Sequence, residues 1–281
     1  MMVLEIPKIR LRDGLEIPVI GFGTVFLKGS EGVLAIRSAI EDGYRLIDSA
    51  YNYENEGTLG EAIRQGPASR NELPVTSKLP GRYHGYDEAI KAIEESLFRA
   101  QLDYFDLYLI HWPNPKEGKY VEAWKALIDA KKRGLVRSIG VSNFLPEHLE
   151  RLDKETGELP VINQIEMHPF FNQSSQRRWQ EERGIVTEAW SPLFRGRGLL
   201  GDETIMALAD AYGKTPAQIV LRWHHQHGAV TIPRSSSPER QRENLSIFGF
   251  ELSGDDMKKI DGLSRPDGRI DDQDPAVYQE F

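Results

Sequence analysis

The sequence predicts a (β/α)8 barrel, with a β-hairpin ahead of the first barrel strand and extra helices after the last. Three observations carry this expectation. Short apolar runs alternate with amphipathic helices along the whole chain, and eight such runs can be counted from residues 19–23 onward. Four helices end at a glycine that directly precedes the next apolar run, at Gly43, Gly134, Gly184 and Gly228. No linker or break in composition divides the 281 residues, so one domain over 1–281 is expected. Eight alternating units in a chain of this size fit a parallel barrel ringed by helices.

Each element rests on a local signal. Residues 10–18 read as a hairpin turning at Asp13-Gly14. The first strand is 19–23. Within it, Gly21-Phe22-Gly23 lacks the third glycine of a dinucleotide fingerprint, so it reads as a tight turn, and the rival doubly wound sheet loses support. A helix at 30–42 ends at Gly43, which supplies the left-handed residue, and a strand at 44–47 follows. A strand at 74–76 precedes a helix at 87–100, whose Ile90, Ile93 and Leu97 share one face. Strand 105–110 leads to helix 117–133. Strand 135–141 leads to helix 146–153, with Pro146 in the first turn. Strand 161–166 leads to helix 174–183, and strand 185–189 follows it. Thr215-Pro216-Ala217-Gln218 is a capping box that opens a helix at 215–227, before the last strand at 229–232. Beyond Leu245 come a helix at 254–263 and a polar tail that either lies over the barrel mouth or hangs loose.

Composition excludes several functions. The chain has no cysteine, which removes disulfides, thiol nucleophiles and cysteine metal sites. A net charge of -8 argues against general binding to nucleic acid or anionic membranes. Residues 1–10 carry no apolar signal region, and no run is apolar enough to span a bilayer, so a cytoplasmic protein is expected. His224, His225 and His227 form a tempting metal cluster, but adjacent residues on a helix point different ways. They read as cations at a helix C-terminus, and no metal is assigned.

In a barrel of this kind the chemistry belongs at the C-terminal ends of the strands. Those ends carry, in order, Asp48, Lys78, His111, Ser142-Asn143, Gln164 with His168, Trp190-Ser191 and Arg234-Ser235. Each is polar or aromatic and follows an apolar run. Strand ends meet water, so each residue alone has a bland explanation: a loop cap for Asp48, a solvated strand end for Lys78, a core histidine for His111. The whole set on one rim points to a site.

The stretches Leu46-Ile47-Asp48-Ser49-Ala50-Tyr51-Asn52-Tyr53-Glu54-Asn55-Glu56, Val75-Thr76-Ser77-Lys78-Leu79, Leu109-Ile110-His111-Trp112-Pro113, Ile139-Gly140-Val141-Ser142-Asn143-Phe144, Asn163-Gln164-Ile165-Glu166-Met167-His168-Pro169 and Ile232-Pro233-Arg234-Ser235 together resemble the aldo-keto reductase superfamily. The loop after His111 and Glu188-Ala189-Trp190-Ser191-Pro192-Leu193 resemble its bacterial branch, which includes 2,5-diketogluconate reductases. The resemblance implies a catalytic tetrad of Asp48, Tyr53, Lys78 and His111. In it Tyr53 is the general acid, and Lys78 lowers the phenol's pKa toward working pH. Asp48 keeps Lys78 charged, and His111 orients the substrate carbonyl. Tyr51, two residues away, lacks the family's spacing.

The resemblance further implies NADPH as cofactor. Ser142, Asn143 and Gln164 match the positions that hold the nicotinamide carboxamide, and Trp190 the aromatic that stacks on the ring. Ser191, Leu193 and Gly196 match the loop over the pyrophosphate. Arg234, Ser235, Arg240 and Asn244 match the pocket for the 2′-phosphate and adenine, with Arg234 in place of the usual lysine. Two arginines there favour NADPH over NADH. Phe26 and Trp112 are expected to wall a pocket for small aldehydes, ketones, α-dicarbonyls or keto sugars. A monomer is expected. The competing functions are a cofactor-binding regulatory protein with little turnover and a Schiff-base lyase using Lys78.

Overall fold

The computed structural model describes residues 6–281. A hairpin of β1 (Lys8–Arg10) and β2 (Glu16–Pro18) comes first, antiparallel, with Ile9 opposite Ile17. The chain then alternates: β3 (Phe22–Gly23), α1 (Gly29–Asp42), β4 (Ile47–Asp48), α2 (Glu56–Gln65), β5 (Val75–Leu79), α3 (Tyr86–Ala100), β6 (Phe105–Ile110), α4 (Tyr120–Lys132), β7 (Val136–Ser142), α5 (Pro146–Thr156), β8 (Ile162–Glu166), α6 (Ser174–Glu181) and β9 (Val186–Trp190). Two helices follow, α7 (Glu203–Tyr212) and α8 (Pro216–Gln226), before β10 (Val230–Thr231). The chain continues through α9 (Pro238–Leu245) and α10 (Gly254–Asp261) into the tail.

Strands β3 to β10 form one parallel sheet in sequence order. Its two edges meet. Ile20 bridges Thr231, the Gly21 N–H donates to the Thr231 carbonyl at 2.7 Å, and the Gly23 N–H donates to the Pro233 carbonyl at 3.2 Å. This seam closes the eight-stranded barrel predicted from the sequence. At its N-terminal end Leu11 and Ile17 of the hairpin pack with Leu46, Leu107, Val161 and Val230 and seal the barrel floor. The helices pack around the sheet through alternating apolar faces, with Trp124 and Trp223 fully buried. Among the described residues no helix is long and apolar enough to cross a membrane.

Several local readings need correction. Gly21-Phe22-Gly23 is not a tight turn; Phe22 and Gly23 are the first barrel strand. Glycine is required there because a Cβ on Gly23 would come within 2.8 Å of the Ile232 carbonyl across the seam. The strand expected at 74–76 runs on to Leu79, so Lys78 lies inside β5 and not beyond its end. The strand expected at 44–47 is displaced, and Asp48 is its last residue. The three histidines near Gly228 are not helix-end cations. His224 is fully buried, with its ring nitrogens 2.8 and 3.0 Å from the Val220 and Met167 carbonyls, and burial pushes its pKa down to about 4. Burial also lowers His225 and His227. Among the described residues no group of three or more His, Cys, Asp or Glu is arranged to hold a metal ion.

The seam yields a test. Gly23→Ala should destabilise the fold by about 1–3 kcal/mol, because the added methyl meets backbone that has little room to retreat. Urea denaturation should read this as a lower midpoint at unchanged slope.

Candidate active site

The mouth of the barrel holds a cavity of about 1200 Å³. Every residue given a catalytic, cofactor or substrate role from the sequence lines it except Lys78, which lies fully buried within β5; His168, grouped with the rim from sequence, is instead buried against Glu166. The barrel topology explains the gathering. Asp48, Lys78, Ser142, Gln164 and Trp190 come from the C-terminal ends of five strands, while His111 follows β6 directly.

A buried polar chain links these strands. Lys78 Nζ donates to Asp48 Oδ1 at 2.6 Å and to the Ser49 carbonyl at 2.8 Å. Burial alone would push the Lys78 amine down. The Asp48 carboxylate, with smaller help from Tyr53 and Glu188, outweighs it and holds the ammonium above its ordinary range. Gln164 Nε2 donates to Asp48 Oδ2 at 2.9 Å and to Glu188 Oε2 at 2.7 Å. Glu188 was not singled out from the sequence as a site residue. It faces Gln164 in register on β9, and its other oxygen, Oε1, is buried without a partner. Burial raises its carboxyl to about 8, and the nearby Asp48 charge adds to the effect. At neutral pH Glu188 therefore carries a proton.

Tyr53 ends the 3-10 turn Tyr51–Tyr53 that follows β4. Lys78 Nζ lies 5.1 Å from the centre of its ring, and the His111 ring centre lies 5.9 Å away. The expected fall in the Tyr53 pKa is not what the structure gives. Burial raises the phenol and outweighs the opposing pull of Lys78. Tyr51 turns elsewhere: its hydroxyl accepts from Arg99 at 2.9 Å and its ring packs against Tyr83.

A second network holds the far side of the cavity. Asn143, at φ +63°, donates from Nδ2 to the His111 carbonyl at 3.0 Å and accepts from Trp190 Nε1 at 2.7 Å. The Ser142 hydroxyl donates to the Gln164 carbonyl at 2.8 Å. Ser191, Leu193 and Gly196 line the cavity from the loop after β9. In that loop Arg195 and Arg197 each pair with Asp271 of the tail, at 2.8 and 2.7 Å, so they are more than loose surface charge. Arg234, Ser235, Arg240 and Asn244 line it from the segment after β10 and from α9. Ser237 caps that helix, accepting from the Arg240 N–H at 3.4 Å.

Trp112 is buried against Tyr278 of the tail, with ring centres 4.4 Å apart. Phe26 stands at the rim, 76% exposed, with the Arg234 guanidinium 5.8 Å from its ring. The tail lies over the mouth, the first of the two courses open to it from sequence. Its Glu280 reaches His111, with Oε1 2.7 Å from Nδ1.

The sequence profile described as Aldo/keto reductase family matches residues 19–265. The chain belongs to the aldo/keto reductase family. It is 50% identical over 277 residues to 2,5-diketo-D-gluconic acid reductase B of a Corynebacterium species, covering 99% of each chain. It is 46% identical over 258 residues to methylglyoxal reductase DkgA of Escherichia coli, covering 92% of this chain and 93% of that one. Among solved structures, a variant of Gox0644 in complex with NADPH superposes with a TM-score of 0.93 at 44% identity, covering 98% of this chain and 99% of that one. With this family, the barrel and the site on one chain, the protein is an oxidoreductase of the aldo-keto reductase type.

Glu188 offers a direct stability test. Between about pH 4.5 and 8 the folded chain keeps a Glu188 proton that the unfolded chain has released. Its contribution is thus fully present below the lower value and lost as pH rises through the upper one. Glu188→Gln removes that titration and can still accept from Gln164. The variant should melt higher than the parent at pH 8, with the gap closing toward pH 5, by thermal denaturation followed across that range.

Proposed function

We propose that this chain reduces small aldehydes and ketones to alcohols with NADPH, and that Tyr53 is the general acid. The observation that carries the reading is the buried Asp48–Lys78 pair beside Tyr53 and His111, which line the same cavity as the residues matched to the cofactor. The named activities of the relatives, on a diketo sugar acid and on methylglyoxal, and the NADPH held by the structural neighbour support the reaction class and the cofactor.

The cavity fits a dinucleotide. Arg234 and Arg240 sit by the N-terminus of α9, where backbone N–H groups and two guanidinium forks suit a 2′-phosphate. Ser235 and Asn244 lie beside them for the adenine end. Ser191, Leu193 and Gly196 would follow the pyrophosphate. Trp190 would face the nicotinamide, with Ser142, Asn143 and Gln164 around its carboxamide. Bound there, NADPH supplies a hydride to the carbonyl carbon of the substrate.

The chain's own residues supply the rest. As hydride arrives, negative charge grows on the carbonyl oxygen and a proton must reach it. Tyr53, like any phenol, is protonated at neutral pH, and burial raises it further, so it is loaded as a donor before the reaction starts. Lys78, held as ammonium by Asp48, stabilises the phenolate that Tyr53 becomes. This arrangement suits charge stabilisation and not a free nucleophilic amine, which counts against a Schiff-base lyase. His111 orients the carbonyl oxygen, and Trp112 and Phe26 bound the substrate side. We read residues 1–281 as one catalytic domain, acting as a cytoplasmic monomer.

Three assays test this. NADPH absorbance should fall when the protein meets methylglyoxal or a substituted benzaldehyde. Saturable NADPH binding with no carbonyl-dependent oxidation would favour the regulatory reading. Tyr53→Phe should cut kcat by at least about 100-fold, the usual worth of a positioned acid, while NADPH still binds. Arg240→Ala should raise KM for NADPH about tenfold or more and leave KM for NADH nearly unchanged, since only the former has the phosphate to lose.

A further inference from the structure

The mechanism above leaves one buried charge unused. Glu280 sits in the tail, beyond the family match, and its carboxylate is turned into the cavity. Oε1 accepts from Asn52 Nδ2 at 2.7 Å and lies 2.7 Å from His111 Nδ1; Oε2 accepts from the Gly81 N–H at 3.1 Å. The main chain is pinned as well. The Glu280 N–H donates to Asn114 Oδ1 at 3.0 Å, and Asn114 Nδ2 donates to the Glu280 carbonyl at 2.7 Å. Gly81 makes this docking possible, because a Cβ there would lie 2.1 Å from Asn114 Nδ2 and 2.5 Å from the Glu280 carbonyl. Burial raises the Glu280 carboxyl, but His111, Asn52 and the Gly81 N–H outweigh it, so the group is ionised at neutral pH. The other titratable groups that feel it are Tyr53 and His84, and the latter is buried and neutral, its pKa pushed down by burial to about 4.

Among the described residues four arginines line the cavity. Arg195 and Arg197 come from the loop after β9 and are already paired with Asp271; Arg234 and Arg240 come from the segment after β10. Neither a lysine nor an arginine reaches the cavity from the loops that carry Tyr53, His111 and Trp112, or from the tail. A carbonyl oriented by His111 therefore lies beside a fixed anion, with no lysine or arginine from those loops or the tail to offset it.

We infer that Glu280 is a specificity-determining residue which sets this enzyme against carboxylate-bearing carbonyl substrates and in favour of neutral ones. The inference rests on His111 being the residue that receives the carbonyl. Repulsion between two unit charges roughly 7 Å apart, at the screening typical of a protein surface, is large enough to change relative rates at least about tenfold.

The test compares para-carboxybenzaldehyde, an anion, with its neutral methyl ester, using NADPH oxidation by the parent, Glu280→Gln and Glu280→Asp. The ratio of kcat/KM for the two substrates cancels general damage to the site. The parent should favour the ester. Glu280→Gln should shift the ratio toward the acid at least about tenfold, and Glu280→Asp should restore most of the preference. In the parent alone, 0.5 M KCl (roughly a 4 Å screening length) should narrow the preference, which guards against a variant that fails to fold. A ratio that stays within twofold in Glu280→Gln, or a parent preference unmoved by salt, would overturn the inference while leaving the carbonyl-reductase reading intact. A parent that oxidises NADPH with neither substrate, nor with methylglyoxal, would instead remove that reading and this inference with it.

Discussion

The ion pair between Lys78 and Asp48 is the interaction on which the site depends. It is fully buried, and breaking a pair of that kind by removing one member is costly because the remaining charge has no water to turn to. The barrel solves the burial problem by surrounding the pair with acceptors and donors from neighbouring strands: the Ser49 carbonyl, the Gln164 amide and, through it, Glu188. That same requirement fixes Lys78 inside β5. A lysine at a solvated strand end would be free to swing; this one has one place to put its charge. The catalytic proposal uses that rigidity, since an ammonium held beside Tyr53 needs no rearrangement when the phenolate forms.

The fold was largely legible because its signals are local. Helices stop at glycine in four places, and apolar strand runs recur eight times. The predicted strand 105–110 matches β6 without adjustment. What sequence periodicity missed, tertiary contact decided. The helix α2 was not identified, and its interior carries Gly57 and Gly60, which read as helix breakers. A Cβ on Gly60 would lie 1.9 Å from the Ala100 carbonyl, so the glycine serves the packing of α2 on α3. The Gly21-Phe22-Gly23 run misled for a similar reason: closeness across the barrel seam demands the same residue as a turn.

The site was legible where a strand end announces it. Asp48, His111, Gln164 and Trp190 each follow an apolar run and line one cavity. Glu188 gave no such signal, since one carboxylate inside a strand-like run looks like a residue on a solvated face. Only closure of the barrel turns it inward. Glu280 was hidden for another reason. It stands 169 positions after His111 in a polar tail, and nothing short-range connects the two. The histidines near Gly228 show the converse. They looked like cations because helix ends attract charge, but burial between Val220 and Met167 leaves His224 neutral.

Asn114 holds the tail by the backbone of residue 280, through its N–H and its carbonyl, and not through the side chain. The clamp is therefore indifferent to which amino acid occupies that position. A substitution there, proline apart, keeps these two backbone bonds, gives up the side-chain bonds to Asn52 and the Gly81 N–H, and changes what the segment offers to the barrel mouth. In evolutionary terms the position is an exchangeable slot: drift at one codon could retune the chemistry of the entrance without first loosening the wall that carries it.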